Sequence, residues 1–209
     1  MIISSKLIAA AVVLGICAVS MSRVMAQQPA PTTLRVIDYQ GDMTSLLASL
    51  TSAYGVTVGL ELDTERYQIV RASLLDATVT DVMNAIVQSS KKYQWRQTGG
   101  FVDVWPLAGS NPLLETRISS FNVKDVSPSE AFDQLLSLPE VQANITALNL
   151  KRRPPDISPG KLSGSRFSVD LKEVSLREAL DKIAQESHIE IWIFRNYPNG
   201  FFSISSVER

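Results

Sequence analysis

Few side chains in this sequence can carry nucleophilic, acid–base or metal chemistry. The 209-residue chain has one histidine, His188, and one cysteine, Cys17. A Ser–His or Cys–His relay needs both partners, and a Cys/His metal site needs several ligands. The pair Gly160-Lys161 lacks the upstream glycine and the hydroxyl residue of a phosphate-binding loop. We therefore predict no catalytic residue, no metal site and no cofactor.

Carboxylates are the remaining means of catalysis, since glycoside cleavage requires only two acids at a set separation. Asp63 and Glu65 alternate along an extended stretch, whereas Asp76 and Glu173 lie on turns that lead into helices. Each of these acids also has an ordinary role as a surface or turn residue. His188 follows a predicted helix, where a polar residue typically ends the helix. A carboxylate-based hydrolase therefore stays an alternative.

Two features could bind a partner without catalysis. Lys151, Arg152 and Arg153 form a candidate anion-binding loop, although a solvated loop has the same composition. Aromatic residues gather in the strands of two predicted hairpins. Phe201 and Phe202 are neighbours on opposite faces of one strand, so one of them is expected to be exposed. The candidate protein-docking surface comprises the open edge of the terminal hairpin strand and three side chains, Phe201, Phe202 and Trp192.

Four copies of one unit position these residues. Residues 121–135 and 169–183 share Lys, Val, Ser, Glu, Ala and Asp in register without a gap, and looser copies cover 74–86 and 41–50. Each copy joins a short alternating strand to a capping residue and an amphipathic helix. Glu130 and Glu178 complete capping boxes. The four predicted helix caps are Asp42, Thr78, Ser127 and Ser175.

A further strand follows each helix. The second unit is predicted to end in a hairpin over residues 93–105, and the fourth in one over 190–205. The loop 151–165 is rich in proline and basic residues, which argues against regular structure there. The units therefore pair into two tandem α+β domains, 34–106 and 117–207, separated by a linker at 107–116. Each domain is predicted to have a strand-helix-strand unit, then a strand-helix-hairpin unit, with two helices packed on small sheets.

Residues 1–26 are typical of a secretory signal. A basic residue, Lys6, precedes an apolar stretch at 7–19, and Val24-Met25-Ala26 suits a signal peptidase. A membrane-spanning helix would need about 20 apolar residues. Ile16 is too bulky for a lipoprotein signal at Cys17. We predict a signal peptide at 1–26, a linker at 27–33 and an exported mature chain.

Composition excludes several classes of protein. Without residues 1–26 the chain has 18 basic and 21 acidic side chains and no cysteine. It therefore has no disulfide framework and no large basic surface for nucleic acid. An apolar share of 45% argues against disorder.

The plan of the units resembles the secretin and TonB N-terminus short domain. The resemblance covers 34–106 as one copy and 117–206 as a second, and is clearest at 170–184 and around Leu62-Asp63. It implies a non-catalytic periplasmic module that docks onto other proteins. A secretin would continue into further periplasmic domains and a pore, whereas this sequence stops at Arg209.

The resemblance implies a partner in the envelope: a secretin, a TonB-dependent receptor or a membrane regulator. We expect an exported, periplasmic interaction module that can also associate with the outer membrane. Two alternatives stay open. One is a carboxylate-based hydrolase of envelope polymers, and the other is an adaptor that binds peptidoglycan or lipid through the basic loop.

Overall fold

The computed structural model describes residues 34–63, 69–153 and 166–208. The predicted signal peptide, the linker at 27–33 and residues 154–165 of the predicted loop lie outside these ranges.

The N-terminal half, residues 34–106, follows a strand-helix-strand and strand-helix-hairpin order. Its elements are β1 (Leu34–Asp42), α1 (Met43–Tyr54), β2 (Thr57–Leu62), β3 (Ile69–Ala77), α2 (Val79–Ser90), β4 (Tyr93–Thr98) and β5 (Phe101–Pro106). β1 and β3 pair as an antiparallel ribbon, and β5 pairs with β4 antiparallel and with β2 in parallel.

The C-terminal half, residues 112–208, repeats this order with one extra helix. A 3-10 helix (Pro112–Glu115) precedes β6 (Arg117–Val126), α3 (Pro128–Leu136), α4 (Pro139–Ala147), β7 (Lys151–Arg152), β8 (Phe167–Ser175), α5 (Leu176–Glu186), β9 (Ile189–Asn196) and β10 (Phe201–Glu208). β6 and β8 form the antiparallel ribbon, and β10 pairs with β9 antiparallel and with β7 in parallel.

The two halves share one six-stranded sheet. Its strand order is β4-β5-β2-β9-β10-β7, and the halves meet where β2 pairs in parallel with β9. Three strands of each half thus lie edge to edge in a continuous sheet.

This sheet separates two hydrophobic cores. One face packs with α1, α2 and the β1–β3 ribbon, and Ile191 and Ile193 of β9 reach into this core from the C-terminal half. The other face packs with α3, α5 and the β6–β8 ribbon, and receives Trp192 and Phe194 of β9. Because side chains alternate along a strand, one strand serves both cores.

The α+β fold class is confirmed, but two separate domains are not. The described residues belong to a single compact unit. The core of the N-terminal half includes Ile191 and Ile193 of β9, and the core of the C-terminal half packs on the other face of the same sheet. The predicted linker at 107–116 also differs from a free connection. It contains the 3-10 helix, whose Leu113 and Leu114 are fully buried.

Two elements depart from the sequence prediction. α4 has no side-chain cap at Leu138, and Val141 is its buried residue, so it has neither of the signals that identify the other helices. The first residues of the predicted irregular loop, Lys151 and Arg152, form β7, because their backbone completes the edge of β10.

Candidate functional site

The repeat places a tryptophan at the same position in both halves. The same sequence spacing separates Thr78 from Ser175, Asn84 from Asp181 and Trp95 from Trp192. Trp192 Nε1 donates to Asp181 Oδ1 at 2.7 Å, and Trp95 Nε1 donates to Asn84 Oδ1 at 3.2 Å. In each half the helix therefore holds the indole of the following strand by one hydrogen bond.

The environments of the two indoles differ because their strands have different neighbours. Trp192 is fully buried where β9 meets β2, directly opposite Gly59. A Cβ on Gly59 would lie 2.5 Å from Cζ2 of the Trp192 ring and 2.9 Å from Asp103 Oδ1. Trp95 is only half-buried, because β4 ends the sheet and has no strand beyond it among the described residues. Glycine at position 59 is therefore what allows the two halves to meet.

A buried cluster of charges lies at this junction. Arg177 of α5 pairs with Glu61 of β2 at 2.7 Å and approaches Asp103 of β5 at 3.7 Å. The side chains of Arg177, Glu61 and Asp103 are each 4% exposed. A more exposed acid, Glu115, lies 3.7 Å from the Arg177 Nε. One guanidinium of the C-terminal half thus joins three acids that precede residue 116.

Aromatic rings and polar groups complete the surroundings of Arg177. Its guanidinium carbon lies 5.9 Å from the centroid of Trp105 and 5.7 Å from that of Trp192. The backbone N–H of Asn111 donates to Glu61 at 2.6 Å, and Arg177 also donates to Ser110 at 2.7 Å. Cation–π contacts of this kind gain strength when water is excluded.

Burial changes the acidity of two carboxyl groups in the cluster. It raises the pKa of Asp181 to about 7, with a further increase from the charge of Asp103, against the opposing effects of the Trp192 hydrogen bond and Arg177. Burial also raises the pKa of Glu61, although the Asn111 hydrogen bond and Arg177 oppose this increase. These are the effects expected when several acids share one cation away from water.

The geometry of the cluster supports a structural role. Asp103 Oδ1 and Arg177 Nη1 lack a hydrogen-bond partner among the described residues, and Asp103 also accepts from the half-exposed Arg96 at 3.0 Å. Glu61, Asp103, Arg177 and Asp181 line neither of two cavities in the described structure. These cavities measure about 320 and 340 Å3 and lie at 55–57, 100, 185 and 188–190, and at 122–124 and 168–170. Within the described ranges, no group of three or more His, Cys, Asp or Glu residues could hold a metal ion.

The predicted docking residues are mostly internal. Trp192 and Phe202 are fully buried, because α5 and the β6–β8 ribbon cover this face of the sheet, so the prediction that they belong to a docking surface is wrong. Phe202 stacks on Phe194 with ring centroids 5.6 Å apart. Phe201 is half-buried, as expected for the neighbour on the opposite face. β10 is not at the end of the sheet, because β7 pairs with its first residues.

The candidate anion-binding residues contact groups within the chain. Arg152 pairs with Asp133 at 2.7 Å. The Nζ of Lys151 lies 6.0 Å from the centroid of the Phe201 ring, and the guanidinium carbon of Arg153 lies 5.1 Å from that of Tyr197. All three residues are exposed, and their use as an anion-binding site stays a prediction.

All four predicted caps occupy N-cap positions. Asp42, Thr78, Ser127 and Ser175 each accept a hydrogen bond from the backbone N–H three residues later. The capping boxes with Glu130 and Glu178 are present, and the structure adds a third box between Thr78 and Asp81.

Three of the four acids considered for hydrolysis lie within the described residues. Asp63 is exposed, and Glu65 lies outside the described residues. Asp76 and Glu173 are exposed and have φ angles of 48° and 53°, each two residues before a helix cap. His188 has a φ of 59° just after α5, and its N–H points to the Gln185 carbonyl at 3.4 Å. It therefore ends the helix, as its position predicted.

The buried charge cluster around Arg177 was not predicted from the sequence. Two of its acids, Glu61 and Asp103, lie between apolar residues in β2 and β5, and an alternating strand does not by itself indicate that both of its faces are covered. The available signal was the continuous apolar run at 191–194 and the single acids inside β2 and β5, since strands covered on both faces show few polar residues.

No helix of the described ranges is long and apolar enough to cross a membrane. No protein-family model, curated protein or solved structure matches this chain.

Proposed function

We propose that this protein is a non-catalytic interaction module of the bacterial envelope. It is exported to the periplasm by its signal peptide and acts as an accessory or regulator of an outer-membrane secretin or a TonB-dependent system. The element order of each half agrees with the plan on which the resemblance to the secretin and TonB short domain rests.

The observation that carries the proposal is a strand addition inside the chain. The sheet of the C-terminal half accepts β2 of the other half along β9, from Val58 opposite Ile191 to Leu62 opposite Arg195. Backbone hydrogen bonds along an edge strand are a general means of binding an extended segment of another protein. A module whose sheets already join by their edges is suited to that task.

The burial of charge supports a binding role over catalysis. Asp181, whose pKa is raised to about 7, lines neither of the two cavities but accepts a hydrogen bond from Trp192 within the C-terminal half, and its neighbour Arg177 pairs with Glu61 of the N-terminal half. We therefore attribute to this cluster the role of stabilising the shared sheet.

Photocrosslinking in the native envelope tests the proposal. A photoreactive residue would replace, one at a time, the exposed residues Gln97 of β4, Leu75 of β3, Leu148 at the end of α4 and Lys172 of β8. We expect at least one position to capture a secretin, a TonB-dependent receptor or a membrane regulator, identified by mass spectrometry. Crosslinks only to glycan, or to no envelope protein from any position, would overturn the proposal.

A further inference from the structure

We propose that the outer edge of β4 binds an extended segment of a partner protein as a strand parallel to β4, with a glycine facing Trp95. This inference rests on the proposed function and names the site and the chemistry of the partner.

The chain contains its own template for this complex. β4 and β9 occupy the same place in their halves: each follows a helix and a residue with positive φ, Lys91 at 52° and His188 at 59°. Each forms an antiparallel hairpin with the next strand, and that strand pairs in parallel with an earlier one. β9 receives β2 in parallel on its other edge, whereas the corresponding edge of β4 has no strand among the described residues.

The two ends of the sheet are protected to different degrees. At one end β7 is only two residues long, both basic, and Pro154 and Pro155 follow in the sequence. Short edges, charges and prolines block the addition of another strand. At the other end β4 has six residues and no proline, and its one charged side chain, Arg96, pairs with Asp103. The β4 edge therefore lacks the protection found at β7.

The template also predicts which residue the partner must present. Gly59 lies opposite Trp192 because any larger residue would overlap the indole. Asn84 holds Trp95 by the bond that Asp181 makes to Trp192. If a strand pairs with β4 as β2 pairs with β9, one of its residues lies directly opposite Trp95, as Gly59 lies opposite Trp192. Glycine fits at that position.

The basic residues in and just before β4 add a requirement for the sequence of the partner segment. Between residues 91 and 98 the chain has Lys91, Lys92 and Arg96 and no acid. In the template Leu60, the residue after the glycine, lies opposite Ile193, and the position in β4 that corresponds to Ile193 is Arg96. We therefore expect a partner segment with alternating apolar residues, a glycine, and an acid directly after the glycine.

A peptide with the sequence of residues 56–63 is the probe, because it contains β2. Its binding to the mature protein would be measured by fluorescence anisotropy, and its position by backbone amide shifts. We expect shifts at residues 93–98 and about tenfold weaker binding for the Gly59→Val peptide. The Leu60→Glu peptide should bind more tightly than the parent.

Variants of the protein distinguish specific contacts of the peptide with Trp95 and Arg96 from non-specific binding. With Trp95→Ala, the Gly59→Val peptide should bind as well as the parent, because the clash is gone. Arg96→Glu should weaken the Leu60→Glu peptide, whereas the matched control Arg117→Glu, at an exposed ion pair on β6, should not.

Three results would overturn the inference: no binding, equal binding of the glycine and valine peptides to the wild type, or shifts confined to β9, which would mean competition with β2. Capture of an envelope protein from Leu75, Leu148 or Lys172 would still uphold the proposed function. The two proposals can therefore fail separately.

Discussion

At the residue scale, Gly59 lies where the packing of the described residues leaves no room for a side chain. Its missing Cβ leaves room for both the Trp192 ring and a carboxylate oxygen of Asp103. Trp192 is fully buried and hydrogen-bonded, so it cannot rotate away without losing its contact to Asp181. Contacts this close force a shift of the packed groups.

Gly59→Ala is expected to lower the free energy of unfolding by about 1–3 kcal/mol, the usual effect of overpacking a core. Denaturant unfolding followed by tryptophan fluorescence measures the loss. Gly100→Ala is the matched control, because a Cβ at Gly100 would meet nothing within 4 Å. Equal stability of the Gly59 and Gly100 variants would contradict the proposed packing at the junction.

Asp181 makes stability depend on pH. Its pKa is raised from 3.8 to about 7 in the folded protein, so the folded state binds its proton more tightly than the unfolded chain does. Its contribution to stability is fully present below about pH 4 and is lost as pH rises through about 7. Glu61 acts in the same direction, because burial raises its pKa too.

Asp181→Asn removes this charge and keeps an oxygen that can accept from Trp192, as Asn84 does for Trp95. We expect the variant to be more stable than the wild type at pH 8, with a difference that shrinks toward pH 4. Thermal unfolding across this range measures the difference, and Asp170→Asn on exposed β8 is the control. A difference independent of pH would show that Asp181 does not titrate as described.

At the element scale, each of the repeated helices begins with a side-chain cap. Glu130 N–H donates to Ser127 Oγ at 3.3 Å, and Glu178 N–H donates to Ser175 Oγ at 3.2 Å. These bonds satisfy backbone groups that the first helical turn leaves free.

Ser127→Ala and Ser175→Ala should each lower the free energy of unfolding by about 1 kcal/mol through loss of the cap. The unfolding midpoint in urea is the measurement. Ser120→Ala, at an exposed position of β6, should leave the midpoint unchanged. An unchanged midpoint in both cap variants would undermine the register of the repeat.

Caps, hairpins and helix faces could be predicted because they depend on neighbouring residues. Ser175 with Glu178, and Gly99-Gly100 between two strands, are local signals. The pairing of β2 with β9 is different, since an alternating strand does not specify which edge it joins. For the same reason the burial of Glu61 and Asp103 between the halves could not be predicted from the sequence. α4 escaped prediction because it has no cap residue.

At the scale of the whole molecule, Arg177 connects elements that are far apart in sequence. It lies on α5 and pairs with acids of β2 and β5, and a second helix residue, Asp181, holds the Trp192 of β9. Removing one member of a buried ion pair leaves the other charge without compensation.

Arg177→Leu should destabilise the protein by about 3–5 kcal/mol, because Glu61 and Asp103 would stay buried without their cation. Calorimetry measures the loss. Arg117→Leu breaks an ion pair whose side chains are 64% and 67% exposed, and should change stability by no more than about 1 kcal/mol. Similar effects of the two substitutions would contradict the burial of the cluster.

The shared sheet also predicts how the protein unfolds. Because each core includes or faces strands of both halves, the halves should lose their structure together. Far-ultraviolet circular dichroism and tryptophan fluorescence should therefore give one coincident transition. Two separated transitions would instead restore the two-domain prediction.

The pairing of β2 with β9 leaves the nascent chain with an unpaired strand during synthesis. β2 ends at Leu62, whereas β9 begins at Ile189. At about 5–20 residues per second, a nascent chain carries the finished β2 for on the order of ten seconds before its neighbour exists. During that interval the segment Val58-Gly59-Leu60 has an open, largely apolar edge, and such edges promote aggregation. Chains interrupted before Ile189 would keep that edge permanently, so premature termination should yield insoluble fragments and not a working N-terminal half.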